Sequence, residues 1–344
     1  MKITAALAAA AVLAAYPCVF PADTAAVKDG KVRIMPVGDS ITDGYWEQGG
    51  YRKYMSCALT EKGYNDVDIV GPKGSDTETF DYRGKQVTYD GNYAGYSGYA
   101  IQEITGRMGI LETLRSGDYI KEYSPDIVLL QIGTNDIISN CNEGITDRLE
   151  NLITYILDEG CGTVYVTTIP DMDTASVSDW FWAYGDLLWN GTPAELAAAV
   201  QGYVDSYNNS IKELVPKMQA KGRDVRFADI HSVVDMTSDL YDGVHPNEQG
   251  YEKMGLYWAD VLSGYLSGQQ LPTGTTEDTT GGREKHYDVA DLVSLCDYLL
   301  GRPQERITSG TYQDFDLNSS STLDVYDVIL LRRRLISGAN VIIE

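Results

Sequence analysis

Met35-Pro36-Val37-Gly38-Asp39-Ser40-Ile41-Thr42-Asp43-Gly44 is the stretch that decides the fold. An apolar run over residues 32–37 ends abruptly in Gly-Asp-Ser, the pattern of a buried parallel strand breaking into a tight turn with a serine at its tip. In an open α/β sheet ligands sit at the carboxyl ends of the strands, so Ser40 stands where a nucleophile is useful. Asp-Ser after a strand is also an ordinary helix N-cap, and the turn alone leaves both readings open.

Outward from this turn the chain alternates strand and helix. Apolar periodicity predicts helices over 51–63, 101–114, 145–157, 193–219 and 248–266, and strands over 68–71, 126–132, 163–169 and 225–230. A Tyr/Gly-rich loop is expected over 77–98. This order implies right-handed crossovers and an α/β, three-layer fold, its five-stranded parallel sheet in flavodoxin-like order. No strand is followed by a phosphate-binding glycine fingerprint, which disfavours a nucleotide enzyme. Between 171 and 191 lies an aromatic excursion, Asp179-Trp180-Phe181-Trp182-Ala183-Tyr184 through Trp189. It reads either as a hydrophobic cap on the sheet or as a sugar-stacking wall.

The 344 residues carry 27 basic and 50 acidic side chains, a formal charge of −23 that repels nucleic acid and anionic lipid. Lys2 precedes an apolar run over 5–15 and then small residues through Ala26, the layout of a secretory signal peptide over 1–26. The run is shorter than the roughly 20 residues of a membrane span, so a secreted, extracellular product is expected. Cys57, Cys141, Cys161 and Cys296 then remain, without zinc-site spacing; a Cys141–Cys161 disulfide stays open.

A serine is a weak nucleophile unless a neighbouring base takes its proton. His245 sits in Asp242-Gly243-Val244-His245-Pro246-Asn247, just before the last helix predicted in the main domain. A carboxylate three residues earlier can turn back onto the imidazole Nδ1–H and leave Nε2 facing Ser40, a Ser–His–Asp arrangement. His231, in Ala-Asp-Ile-His after the fifth strand, suits a capping or surface role better. An ester-cleaving site also needs donors for the oxyanion. The third strand ends in Gly133-Thr134-Asn135-Asp136, where Asn135 offers an amide; the N–H groups of Gly98 and Ser40 are the other candidates.

These blocks in this order resemble the SGNH (GDSL-type) hydrolases over about residues 31–266. Met35-Pro36-Val37-Gly38-Asp39-Ser40, Gly50-Tyr51-Arg52, Gly95-Tyr96-Ser97-Gly98 and Asp242-Gly243-Val244-His245 look most like carbohydrate esterase family 3. That resemblance implies removal of acetyl groups from xylan or related plant polysaccharide. It makes Ser40 the nucleophile, His245 the base, Asp242 its orienter, and Ser40, Gly98 and Asn135 the oxyanion hole, with no cofactor for catalysis. Family members often carry His-Glu before the first glycine of the second block, where this chain has Tyr93-Ala94. Other readings of the same residues are a broader-specificity lipase or acyl-esterase, and a non-catalytic carbohydrate-binding protein.

Residues 268–282 are Gln, Pro, Thr, Gly and acids, a solvated linker after an esterase domain over 27–267. The C-terminal segment contains a repeat: the helical pattern of 288–300 recurs over 324–336, offset by 36 residues, and neither helix alone can bury its apolar stripe. Before the second copy, Asp316, Asn318, Ser320, Asp324 and Asp327 place oxygen side chains at calcium-loop positions 1, 3, 5, 9 and 12, with the Thr322 carbonyl at 7. The first copy places Thr280, Gly282 and Glu284 at positions 1, 3 and 5 and departs from the pattern. Residues 283–344 resemble a type I dockerin, a small all-α module. The resemblance implies Ca²⁺ binding and docking to the cohesin of a cellulosomal scaffold through Val325, Tyr326, Arg332 and Arg333.

Overall fold

The computed structural model describes residues 30–176, 192–269, 283–285 and 287–300, with 302, 306–308, 311, 315, 323, 328, 331 and 341–343. The expected signal segment, most of the aromatic excursion, nearly all of the linker, all six calcium ligands and all four partner-binding residues lie outside the described residues. The chain forms two compact units, 1–270 and 271–344.

The first unit is a mostly parallel α/β sandwich. Its strands are β1 (Val32–Gly38), β2 (Val67–Ile69), β6 (Ile127–Gln131), β7 (Thr163–Thr167) and β8 (Val225–Ala228), in the order β2-β1-β6-β7-β8. This is the expected five-strand parallel order. A sixth strand, β5 (Ala94–Gly95), continues the β2 edge beside the end of β1, pairing Val37 with Ala94 and Gly38 with Gly95. Successive strand residues point to opposite faces, so Ile34, Ile127 and Leu129 enter one core and Met35, Val128 and Leu130 the other. The first face is covered by α2 (Gly50–Glu61) and α8 (Glu248–Gln269), with Tyr51, Tyr251 and Trp258 fully buried between them. The second face is covered by α3 (Ile110–Gly117), α6 (Ile145–Asp158) and α7 (Pro193–Ala220). All five residues of β6 are buried because helices lie on both sides, which is why it reads as an unbroken apolar run.

Helix α7 starts where the sequence places it. Thr192 accepts from the Glu195 N–H at 3.3 Å, Glu195 accepts from the Thr192 N–H at 2.8 Å, and Pro193 follows the cap. Two expectations are corrected. The loop expected over 77–98 contains an antiparallel hairpin, β3 (Glu78–Tyr82) and β4 (Lys85–Tyr89). Its turn residues Arg83 and Gly84 both have positive φ, and Phe80 packs edge-on against Tyr54 and Tyr89. The helix expected over 101–114 begins only at Ile110 and is followed by α4 (Tyr119–Tyr123). Residues 100–109 form a bridged loop instead, with Ala100 paired to Gly109 and Ile104 to Arg107.

Cys57, Cys141, Cys161 and Cys296 are all free thiols, so the Cys141–Cys161 disulfide does not form. The Cys161 Sγ instead donates to the Thr163 carbonyl at 3.2 Å. Among the described residues no helix is long and apolar enough to cross a membrane.

The second unit has its own core of Leu295, Ile307, Phe315, Leu323 and Leu331, flanked by Tyr287, Leu292 and Val328. Leu292 and Val328, like Leu295 and Leu331, are equivalent positions of the two repeats, so the copies pack on each other. Helix α9 (Val289–Leu299) opens on a capping box in which the carboxylates of Asp288 and Asp291 each accept the other's backbone N–H at 2.9 Å, and both also accept from Arg306. The all-α expectation is corrected by a short antiparallel pair, β9 (Arg283–Lys285) with β10 (Val341–Ile343). Glu284, position 5 of the first repeat's loop, lies in β9.

Candidate active site

Strand register sets the site. Gly38 at the end of β1 pairs with Gln131 of β6 and Gly95 of β5, so the turns after these strands emerge side by side. Those turns carry Ser40, Asn135 and Gly98. Gly38 has to be glycine: a Cβ there would stand 2.1 Å from the Gln131 carbonyl oxygen and 2.5 Å from Thr42 Oγ1.

After β1 the chain enters the single-turn α1 (Ser40–Asp43). Its cap is Asp39, whose Oδ1 accepts from the Ile41 N–H at 3.0 Å. The serine hydroxyl is thereby left out of the capping and directed elsewhere. Burial pushes the Asp39 carboxyl up to about 6, against the pull of the Ile41 N–H and the His245 charge.

Ser40 Oγ lies 2.8 Å from His245 Nε2, and His245 Nδ1 lies 2.8 Å from Asp242 Oδ2. His245 is held by its own loop. Asp242 Oδ1 accepts from the Val244 and His245 N–H groups at 3.1 and 2.9 Å, and the His245 carbonyl accepts from the Tyr241 N–H at 2.8 Å. Burial raises the Asp242 carboxyl, but the hydrogen bonds from the His245 ring and backbone, the His245 charge and the Trp46 indole outweigh it and hold it well below the usual range. An ionised carboxylate only accepts, so Nδ1 carries the proton, and in the neutral imidazole Nε2 accepts from the serine O–H.

Gly98 has φ +82 in the turn closed by the Tyr99 N–H on the Tyr96 carbonyl, a conformation that suits glycine. Asn135 lies in the short helix α5 (Thr134–Ile138). Its Oδ1 accepts from Arg107 Nη1 at 3.0 Å, and its Nδ2 donates to the Tyr99 carbonyl at 2.9 Å. Arginine offers no acceptor, so the amide orientation is fixed and its NH₂ faces away from Arg107. The same Nη1 donates to the Gly98 carbonyl at 3.0 Å, and Nε to Ser139 Oγ. Arg107 thus ties the two expected oxyanion residues together. Next to them, buried Asp136 accepts from the Ile101 N–H and from Arg148, pinning the bridged loop onto α5.

Tyr93, where the sequence departs from its resemblance, donates to Asp43 Oδ1 at 2.6 Å. The Arg52 guanidinium lies 3.6 Å from its ring centroid. Asp43 also accepts from Lys73 and Ser97. Burial raises the Asp43 carboxyl, and the Lys73, Ser97 and Tyr93 hydrogen bonds more than reverse that. Fully buried Arg52 has its charge spread over the carbonyls of Thr42, Asp43 and Gly91. His231 Nε2 lies 2.9 Å from Asp171 Oδ1.

Sequence reasoning missed Tyr45, Trp46, Arg107 and Tyr241. The Tyr45 ring packs 4.5 Å from the His245 ring, and the Trp46 Nε1–H donates to Asp242 Oδ2 at 3.0 Å. Trp46 sits beside the serine block, yet only the fold reveals its partner, 196 residues along the chain.

The chain is 40% identical over 317 residues to a multidomain esterase of Ruminococcus flavefaciens, a match covering 90% of this chain and 35% of that protein. It is 28% identical over 163 residues to a putative endoglucanase X of Acetivibrio thermocellus, covering 45% of this chain and 59% of that one. The chain therefore spans about a third of the first relative's length and under two thirds of the second's. Among solved structures, a Clostridium thermocellum family 3 carbohydrate esterase aligns at 24% identity and a TM-score of 0.46, covering 69% of this chain and 98% of that one. A model of the GDSL-like lipase/acylhydrolase family matches residues 34–258, a span that contains Ser40, Asn135, Asp242 and His245, and the chain belongs to that family.

Proposed function

We propose that this chain is a carbohydrate esterase that removes acetyl groups from xylan or a related plant polysaccharide through an acyl-enzyme. The observation that carries the reading is the hydrogen-bonded line from Ser40 Oγ through His245 to Asp242, both links 2.8 Å long. Neutral His245 takes the Ser40 proton as Oγ attacks the ester carbonyl carbon. The carbonyl oxygen becomes an oxyanion, received by the Ser40 and Gly98 N–H groups and the second hydrogen of Asn135 Nδ2. The imidazolium, held in orientation by Asp242, gives its proton to the departing sugar oxygen. Water then repeats the sequence against the acyl-enzyme, releasing acetate and restoring Ser40. The acidic surface suits an uncharged polysaccharide better than an anionic lipid interface.

Acetate release from acetylated xylan, set against hydrolysis of long-chain 4-nitrophenyl esters, tests this. The acetyl substrates are expected to be cleaved with the higher kcat/KM. A preference for chains of eight carbons or more, by about a hundredfold as several buried methylenes would give, would assign the site to a lipase instead.

We further propose that the second unit is a calcium-binding, dockerin-like module that anchors the esterase to a cohesin. Three things support this. The donor set of Asp316, Asn318, Ser320, Thr322, Asp324 and Asp327 is oxygen-only, which suits Ca²⁺. The repeats pack through equivalent residues. The match to the multidomain esterase covers 90% of the chain, more than the first unit alone accounts for. Calorimetry of the full chain is expected to lose about 15 °C or more from the melting of this unit in excess chelator. An unchanged endotherm would remove calcium from the reading.

A further inference from the structure

The loop between α1 and α2 turns at Gly44 and Gly49, both at positive φ, with the Glu47 N–H on the Gly44 carbonyl at 3.0 Å and the Gly50 N–H on the Glu47 carbonyl at 2.8 Å. At its tip Trp46 has φ +67, a left-handed conformation uncommon for a bulky side chain. Such backbone persists only where the surroundings over-determine it, and it clusters at sites of function. Here the indole N–H on Asp242 and the edge-on contact with Tyr45, ring centroids 4.8 Å apart, hold the residue in place.

Trp46 nevertheless remains 57% exposed. Beside it stands Tyr241, 62% exposed, its ring centroid 5.1 Å from that of Trp46 and tilted by 33°. Tyr241 immediately precedes Asp242, and its N–H binds the His245 carbonyl. Two large rings are thus left in water against the loop that carries the imidazole. In ester cleavage the alcohol leaves with a proton from His245 Nε2, so the alcohol portion of the substrate lies on the imidazole side of Ser40. Pyranose rings present C–H faces that pack on aromatic faces, and rim hydroxyls that stay in water, which matches rings half exposed at a polar edge.

We infer that Trp46 and Tyr241 form a stacking platform for the pyranose ring that carries the ester. The inference rests on the esterase reading of Ser40, His245 and Asp242. It assigns the sugar to the Trp46–Tyr241 side and the acyl group to the Asn135 and Gly98 side. Trp46 has a second task, since its indole N–H also steadies Asp242.

The test uses the full chain and compares kcat/KM for an acetylated xylo-oligosaccharide with that for 4-nitrophenyl acetate, which has no sugar. Tyr241→Ala is expected to lower the ratio of sugar-ester to aryl-ester kcat/KM by about tenfold, chiefly through KM, as the loss of one ring contact demands. Trp46→Phe keeps a ring and removes the indole donor, so it is expected to lower kcat for both esters together and leave most of the ratio. Both variants change exposed residues and are expected to melt within a few degrees of wild type, which melting curves check. A ratio unchanged in Tyr241→Ala overturns the platform. So does a loss confined to 4-nitrophenyl octanoate, which would place an acyl chain on these rings. Wild-type protein that cleaves neither acetate would instead overturn the esterase reading on which the platform rests.

Discussion

Ser40→Ala is expected to lower kcat on 4-nitrophenyl acetate by about 10⁴-fold or more, in line with removal of the nucleophile from a serine–histidine–aspartate set. The melting temperature is expected to stay within about 2 °C of wild type, the shift that a few tenths of a kcal/mol produces. The stability half of this expectation comes from the turn itself. A Ser after Asp at a strand end reads equally well as a cap, and loss of a capping hydroxyl costs about 1 kcal/mol. Here the cap is Asp39, which accepts the Ile41 N–H, so the Ser40 hydroxyl supports no part of α1 and bonds outward to His245. The double variant Ser40→Ala, His245→Ala is expected to be no slower than either single variant, because the two act as one unit. Full activity in a homogeneous Ser40→Ala preparation would end the assignment. A large fall in melting temperature would mean that the hydroxyl also serves the fold.

The parts of the molecule legible in the sequence are those specified locally or by position at a strand end. The run Ile127–Gln131 is continuous because that strand is buried on both faces, and Asp242 is readable as the partner of His245 because the two lie within one turn. Elsewhere a local pattern is overruled by a distant partner. Ile101 and Ile104 have helical spacing, but the Ile101 N–H is taken by Asp136 and residues 100–109 close into bridges before α3 begins. The β3–β4 hairpin is hidden in the sequence because β3 alternates only partly buried with exposed residues, β4 buries only Tyr89, and Arg83 does not advertise a positive φ. Arg107 and Trp46 carry no sequence signal, since the Asn135 that Arg107 orients lies 28 residues away and the Asp242 that Trp46 meets lies 196 away.

Arg107 is the positioning residue whose loss is expected to cost most outside the triad. It touches no reacting atom in the proposed mechanism; its guanidinium spans Asn135 Oδ1, the Gly98 carbonyl and Ser139 Oγ. Removing one oxyanion donor costs about 10²–10³ in kcat, and that range sets the expectation for Asn135→Ala. Arg107→Ala leaves both donors present but releases the Asn135 amide to rotate, so kcat is expected to fall by about 10²-fold with KM within about twofold. Arg107→Lys is expected to recover only part of this, because an ammonium cannot hold three acceptors in the planar fork that a guanidinium provides. The double variant Arg107→Ala, Asn135→Ala is expected to fall within about fivefold of Asn135→Ala, since the arginine acts chiefly through the amide it orients and otherwise only steadies the Gly98 carbonyl. Steady-state kinetics on 4-nitrophenyl acetate separate the outcomes. An Arg107→Ala enzyme with kcat within twofold of wild type would show that the amide needs no outside hold. A rise in KM alone would show that Arg107 serves substrate binding, not the transition state.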